Sequence, residues 1–552
     1  MTVRLELVWP GKDKFLLVPK NEAGRPVWVE RDHPAAVEVR LTDFTGSVGD
    51  VPADPSAGNL LFTGDSFDVL RVLTEVPEYR SQYRGKVKLV YIDPPFNTGQ
   101  AFEHYDDWME HSTWLSFMHE RLLLLRELLA PDGSVWVHLD DAEHHRMRLL
   151  MDEVFGPQNF IANVVWQKAY SPKNSARHLS VDHDNISIYA RDAERWRPNA
   201  MPRTAAMDAA YRNADDDPRG PWKAGDLLAN KPYSLGVYPI TTPSGREIPG
   251  PPPGRFWRVS KDKLAEMDAD HRIWWGARGE NVPAVKRFLT EVRGRVPQTW
   301  WPHAEVGHSQ SGKNEIQRLF AGAVPFATPK PEALLERVIQ VASAPGDIVL
   351  DCFAGSGTTA AVAHKMGRRW VTAEILPRTV EQFTHPRLTK VINGEDPGGS
   401  TKSVDWQGGS GFATVSVGPS MYEDTAYGVV LADWAVGERF ARAVAGQLGF
   451  AWQKDAQPLC GIRGRMRLAV LDGAVGQEEV RTIIGALAEK ERVTIVAKSV
   501  LAQAEETLAE ISRGSRIRKA PRDLLTPGSL RVRRRSEPVD RYAAPVAEGP
   551  TL

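Results

Sequence analysis

The chain has 552 residues, 69 Lys+Arg against 70 Asp+Glu (net charge −1), and a 42% hydrophobic share that supports packed cores and excludes wholesale disorder. Two cysteines, Cys352 and Cys460, exclude a disulfide framework and a four-thiolate zinc site. The near-zero charge argues against a nucleic-acid partner, because such domains are often basic. No apolar run reaches the roughly 18 residues of a membrane span, and the N-terminal MTVRLELVWPGKDK has no signal-peptide core. A cytoplasmic location, without a membrane, is expected. At about 150 residues per domain the length predicts three or four domains.

Residues 1–57 read as an N-terminal extension of short β-like runs. Residues 58–190 then show α/β alternation. Val87–Ile92 (VKLVYI) predicts a buried parallel strand, ending at Asp93-Pro94-Pro95. Trp114–Leu129 predicts a helix closed by Pro131-Asp132-Gly133. Ser134–Leu139 predicts a strand, Glu143–Phe155 a helix stopped by Gly156-Pro157, and Asn185–Ala190 a strand. Residues 191–324 read as an insert rich in Trp, Pro and Gly. The α/β pattern resumes over 325–395, with a helix at Glu332–Ala342, a strand at 347–350, a helix at 358–366 and a strand at 370–373. Residues 396–419 read as a Gly-rich linker, 420–525 as a smaller α/β domain, and 526–552 as a disordered tail.

Asp93-Pro94-Pro95-Phe96 follows a strand directly, at the edge where open α/β sheets bind ligands. Two prolines stiffen the turn and leave carbonyls free to accept. A carboxylate beside a free carbonyl suits an exocyclic amino group, which offers two N–H donors. Accepting both hydrogens draws density onto the nitrogen and makes it a better nucleophile toward a methyl. Phe96 offers a face on which a planar base can stack. A strand-ending turn with an N-cap Asp is the rival reading.

Asp351-Cys352-Phe353-Ala354-Gly355-Ser356-Gly357-Thr358-Thr359 reads as strand, Gly-rich turn and helix. The next strand ends in Glu374, placed to take ribose hydroxyls. The turn lacks the full dinucleotide fingerprint and the Gly-Lys-Ser/Thr of a phosphate loop. A nucleoside cofactor without a pyrophosphate, S-adenosyl-L-methionine, fits better, and its sulfonium carries the methyl that the first turn would need.

With these two motifs in this order around a long insert, the chain resembles the β class of amino-group DNA methyltransferases. Within that class it resembles the modification subunits of type III restriction–modification systems more closely. GNLLFTGDSFDVL (Gly58–Leu70), IDPPFNTG (Ile92–Gly99), WLSFMHERLLLLRELLAPDGS (Trp114–Ser134) and HLDDAE (His138–Glu143) carry the resemblance. FATPKPEALL (Phe326–Leu335) and WQGGSGF (Trp406–Phe412) complete it. It covers roughly 58–190 and 325–415.

The resemblance implies a Rossmann-like α/β methyltransferase fold, a mostly parallel sheet with helices on both faces. It implies methyl transfer from S-adenosylmethionine to adenine N6 in a specific duplex sequence, with the base flipped out. Asp93 and the Pro94 carbonyl would hold the amine, with Pro95 stiffening the turn and Phe96 stacking on the base. Asp351, Phe353, Ala354, Gly355, Ser356, Gly357, Thr358 and Thr359 would form the cofactor loop, and Glu374 would bind ribose. Lys330 and Pro331 would flank the methionine end of the cofactor, with a surface lysine as the rival for Lys330. Asp65 would lie near the adenine ring, with a helix N-cap as rival. Cys352 reads as a small core residue. No metal is implied, and His138, His144 and His145 read as polar surface.

Residues 161–325 hold eight of the 17 Trp and about 24 Lys+Arg against about 18 Asp+Glu. That basic stretch is the expected place of target recognition, so whole-chain charge misleads. Lys173, Arg177, Arg255, Arg258, Arg293, Arg295, Lys313 and Asn314 are the DNA-contact candidates. Most of the Trp read as a small hydrophobic core. Two other readings stand: cytosine N4 methylation, whose branch typically has Ser where this chain has Asp93, and a DNA-recognition subunit serving a nuclease or helicase. Expected partners are double-stranded DNA and, through the resemblance, a restriction/helicase subunit; a homodimer is also consistent.

Overall fold

The computed structural model describes residues 6–18, 26–98, 109–292, 294–322, 326–426 and 428–525. The expected tail, 526–552, and Arg293 lie outside them. The described chain divides into two compact units, 198–297 and the remainder.

The large unit is built on one ten-stranded sheet. Its strands are β1 (Thr42–Gly49), β2 (Leu60–Thr63), β3 (Val87–Ile92), β4 (Leu129–Leu139) and β5 (Phe160–Gln167). They continue with β6 (His183–Ala190), β7 (Trp300–Trp301), β8 (Ile348–Asp351), β9 (Arg369–Glu374) and β10 (Gly411–Val417). The order across the sheet is β7-β5-β6-β4-β3-β8-β9-β2-β10-β1. The stretch β4-β3-β8-β9-β2-β10 is entirely parallel, while β6 and β1 run against their neighbours. This is the expected mostly parallel α/β sheet.

The two central strands are buried apolar runs, as parallel strands covered on both faces must be. Helices Ser66–Glu75, His111–Leu128 and His144–Phe155 supply Leu70, Leu73, Met118, Leu122, Leu125 and Met151 to one continuous core. Because β3 and β8 are parallel neighbours, their carboxyl ends bring Asp93 and Asp351 to one edge. β5 runs parallel to β4, so the loop 168–182 leaves the sheet at that same edge.

Three expected boundaries change. Residues 42–49 of the extension form the edge strand β1, paired antiparallel with β10. The 396–419 segment is not a plain linker, because β10 pairs in parallel with β2 inside it and Phe412, Ala413 and Val415 are buried. The separate unit, 198–297, is narrower than the 191–324 insert. Trp300–Trp301 joins the main sheet beside Val165–Trp166, with Trp301 buried and 6.1 Å from Trp136.

The unit 198–297 is mostly short antiparallel pairings, the longest joining Ala284–Phe288 to Trp222–Asp226. Leu227, Tyr238, Ile240, Ile248, Trp257, Leu264 and Ile273 form its core. Residues 420–525 carry a five-stranded sheet in which Met466–Val475, Arg492–Val500 and Arg516–Lys519 are parallel. This region is tied to the N-terminal segment: Gln447 Oε1 accepts from Val39 N at 2.7 Å, and Arg442 pairs with Asp43 at 2.9 Å. No helix among the described residues is long and apolar enough to cross a membrane.

Candidate active site

A cavity of about 260 Å³ opens where β2, β3, β8 and β9 end. Its lining includes Asp65, Asp93, Pro95 and Lys330, the whole run Asp351–Ser356, Thr358, Thr359 and Glu374. The two motifs, more than 250 residues apart in sequence, therefore share one site.

The Asp93-Pro94-Pro95-Phe96 turn is held from several sides. Trp114 Nε1 donates to the Pro95 carbonyl at 2.8 Å. Asn97 follows in the left-handed region, φ 61°, and donates from Nδ2 to the fully buried Glu143 at 2.7 Å. Glu143 ends the HLDDAE stretch and is also 2.5 Å from His111, so a distant motif fixes this turn.

Asp93 has two unlike oxygens. Oδ2 accepts from the Lys330 ammonium at 2.5 Å, while Oδ1 is buried with no hydrogen-bond partner. An unpartnered buried carboxylate oxygen is costly, and this one has lone pairs free to accept. The Lys330 ammonium also lies 5.0 Å from the Phe96 ring centroid. Lys330 is thus not a surface lysine; its side chain is 12% exposed. Gly312 lets the helix Ser309–Leu319 pack against its segment, since a Cβ there would meet the Pro329 carbonyl at 2.4 Å.

Phe96 also packs on His138, with centroids 5.9 Å apart and planes 30° apart. His138 is fully buried, which corrects its reading as polar surface. Its Nδ1 is 2.7 Å from the Tyr91 hydroxyl and its Nε2 3.2 Å from Asp184, which pairs with Lys168 at 2.6 Å. One group from or beside each of β3, β4, β6 and β5 thus forms a row across adjacent strands. Burial, then the Lys330 charge, hold the imidazole below its usual pKa, so it is neutral at pH 7. Asp184 accepts the Nε2 hydrogen, leaving Nδ1 to accept from Tyr91.

The Gly-rich loop is shaped by its glycines. Gly355 has φ +50°, and a Cβ there would meet Phe326 at 3.3 Å. Glu374 accepts from Gly355 N at 2.9 Å and from Leu376 N at 3.0 Å, fixing its carboxylate while lone pairs remain. Asp351 accepts from Phe353 N at 3.0 Å. Burial raises its pKa to about 7, against hydrogen bonds from Thr359 and Phe353, and the charges of Asp93 and Glu374 raise it further. Burial raises Glu374 as well. Cys352 is buried with a thiol pushed far up by desolvation, which suits a core residue.

Asp65 caps the helix Ser66–Glu75 through Phe67 N at 2.7 Å and also lines the cavity. Both its oxygens take Arg121, at 2.8 and 2.9 Å. Arg121 is a residue that sequence reasoning missed, although it lies inside the quoted WLSFMHERLLLLRELLAPDGS stretch; an arginine placed between the apolar runs of the helix was the signal. A second missed group sits behind the loop. Glu332, following Lys330-Pro331, is buried between Lys365 (2.7 Å) and Arg387 (2.8 Å), and Arg387 donates to Thr358 at 2.7 Å. Burial alone would raise the Glu332 pKa; Arg387 and Lys365 hold it below the usual range.

The DNA-contact candidates are divided between the two units. Lys173 and Arg177 are exposed on the loop 168–182, and Lys313 and Asn314 lie half-buried on the helix Ser309–Leu319. Arg255, Arg258 and Arg295 belong to the unit 198–297, where Arg258 donates to the Leu228 carbonyl at 2.8 Å.

The shared edge brings the Asp93 turn and the glycine loop into one site. The family model for DNA methylases of the N6/N4 type matches residues 87–385, more than half of the chain, and the chain belongs to that family. Among relatives, the type III restriction-modification enzyme StyLTI Mod subunit of Salmonella typhimurium is 32% identical over 333 residues, 55% of this chain and 49% of that protein. The probable type III enzyme HindVI Mod subunit of Haemophilus influenzae is 29% identical over 429 residues, 68% of this chain and 56% of that protein. The type II methyltransferase M.EcaI of Enterobacter cloacae is 32% identical over 297 residues, 52% of this chain and 61% of that protein. The chain matches about half the length of the two Mod subunits.

Proposed function

We propose that this chain is a site-specific DNA methyltransferase that moves a methyl group from S-adenosylmethionine to adenine N6 in duplex DNA, within a restriction–modification system. The observation that carries this reading is Asp93, which has a buried and unpartnered Oδ1 and lines the cavity that also holds the glycine loop.

The cavity fits the cofactor chemically. Four acids line it, Asp65, Asp93, Asp351 and Glu374, against one cation, Lys330. That excess suits a ligand with both a sulfonium and an ammonium. Glu374 keeps lone pairs for ribose hydroxyls beside the Gly355 backbone. When bound, S-adenosylmethionine supplies the electrophilic methyl.

The protein's own groups do the rest. Asp93 and the turn carbonyl accept the two amino hydrogens and raise the nucleophilicity of the nitrogen. Phe96 stacks on the base and aligns the nitrogen lone pair with the methyl carbon. Once the nitrogen has taken the methyl and the cofactor's sulfur has left as the thioether, Asp93 would accept the proton that the nitrogen sheds. Exposed Lys173 and Arg177 at the catalytic edge, with Arg255 and Arg258 of the 198–297 unit, would neutralise phosphates and help offset the few kcal/mol of base extrusion. Residues 420–525 would serve protein interaction or support a dimer. Asp93→Ala is expected to abolish methyl transfer to DNA while leaving S-adenosylhomocysteine binding intact. Full transfer by that variant would overturn the reading.

A further inference from the structure

The Lys330 ammonium makes two contacts that together describe another group. It donates to Asp93 Oδ2 at 2.5 Å and sits 5.0 Å from the Phe96 centroid. A carboxylate acceptor and an aromatic face are what the turn offers to a target amine. A base stacked on Phe96 needs the space over the ring that this ammonium now occupies, although Asp93 Oδ1 stands free to take the amine.

We propose that Lys330 is the resident occupant of the target-amine site, and that the extruded base must displace it. This inference rests on the reading of Asp93 and Phe96 as the amine site. It assigns Lys330 to the substrate rather than to the methionine end of the cofactor.

The physical logic has two parts. Without DNA, Asp93 already carries one unpartnered oxygen, and removing Lys330 would strand both in a site where the side chain is only 24% exposed. The ammonium therefore keeps the acceptor paired and positioned. Displacement is then favourable only for a group that returns an N–H donor to Asp93 and a ring to Phe96. A base without an amino group breaks the ion pair and restores nothing, so Lys330 makes entry selective.

The test compares full-length wild type, Lys330→Met and Lys330→Arg. Unmethylated amplified genomic DNA serves as substrate, which needs no knowledge of the target sequence. Lys330→Met is expected to lower KM for DNA about tenfold, and Lys330→Arg, whose fork grips a carboxylate more firmly, to raise it. An activity-free arm measures 2′-deoxyadenosine binding to protein saturated with S-adenosylhomocysteine, which blocks the cofactor's own adenine site. Lys330→Met is expected to tighten that binding about tenfold, with S-adenosylhomocysteine affinity within about twofold of wild type. 2′-Deoxyinosine, which lacks the amine, is expected not to bind. An unchanged or higher KM for DNA in Lys330→Met overturns the proposal, as does a large loss of S-adenosylhomocysteine affinity, which would make Lys330 a cofactor ligand. If Lys330→Met does not fold, Lys330→Gln carries the same comparison. Failure of the wild type to bind S-adenosylhomocysteine is a different result and overturns the functional reading itself.

Discussion

Phe96 and His138 lie nearly face to face, with ring centroids 5.9 Å apart and planes 30° apart, so the proposed stacking residue is backed by a buried imidazole. Two replacements separate the ring from its hydrogen bonds. His138→Phe keeps a flat face behind Phe96 but leaves the Tyr91 hydroxyl and an Asp184 oxygen unpaired. It is expected to cost about 2–3 kcal/mol of stability with kcat largely retained. His138→Ala removes the face and is expected to cost kcat more than tenfold, about 1.4 kcal/mol or more of barrier. Denaturant unfolding and initial rates on amplified DNA check both.

Asp351 is expected to make cofactor affinity depend on pH. Its carboxyl has a pKa raised to about 7, mainly by burial, so it is largely protonated at pH 6. A cation in the cavity favours the carboxylate, so binding releases a proton and tightens as pH rises. S-adenosylmethionine affinity is expected to increase about tenfold between pH 6 and 8, and Asp351→Asn to flatten the profile. The sign reverses for the free protein. The folded carboxyl holds its proton more tightly than the unfolded one, so its contribution to stability falls as pH rises from about 4 to about 7. Titration calorimetry in buffers of different ionisation enthalpy reads the proton release.

Arg121 couples cavity and fold. It grips Asp65 through both oxygens and donates to Ser66 at 2.7 Å, with its side chain 8% exposed. Arg121→Met strands part of Asp65 and is expected to cost about 3 kcal/mol, with weaker cofactor binding. Arg121→Lys cannot reproduce the fork and is expected to recover less than half of the loss. Thermal melting with and without S-adenosylhomocysteine separates the two effects.

The sheet centre was legible because β3 and β8 are short apolar runs ending in acid-bearing turns, and both turns lie where such strands end. The edges were not. β1 reads TDFTGSVG, a polar strand half open to solvent, and without hydrophobic alternation it looks like loop. β10 follows a run of glycines that masks its pairing with β2. His138 was misread because its strand is buried on both faces, so alternation says nothing about which way a side chain points. The Lys330–Asp93 pair spans 237 positions, and no local pattern joins its members.

The central claim is that Asp93 and Phe96 activate the exocyclic amine of adenine. The most direct measurement is nucleoside analysis of unmethylated genomic DNA after incubation with the purified protein and methyl-labelled S-adenosylmethionine. The label is expected in N6-methyl-2′-deoxyadenosine, and to be absent with Asp93→Ala. Label in N4-methyl-2′-deoxycytidine, or in no nucleoside, would contradict the account.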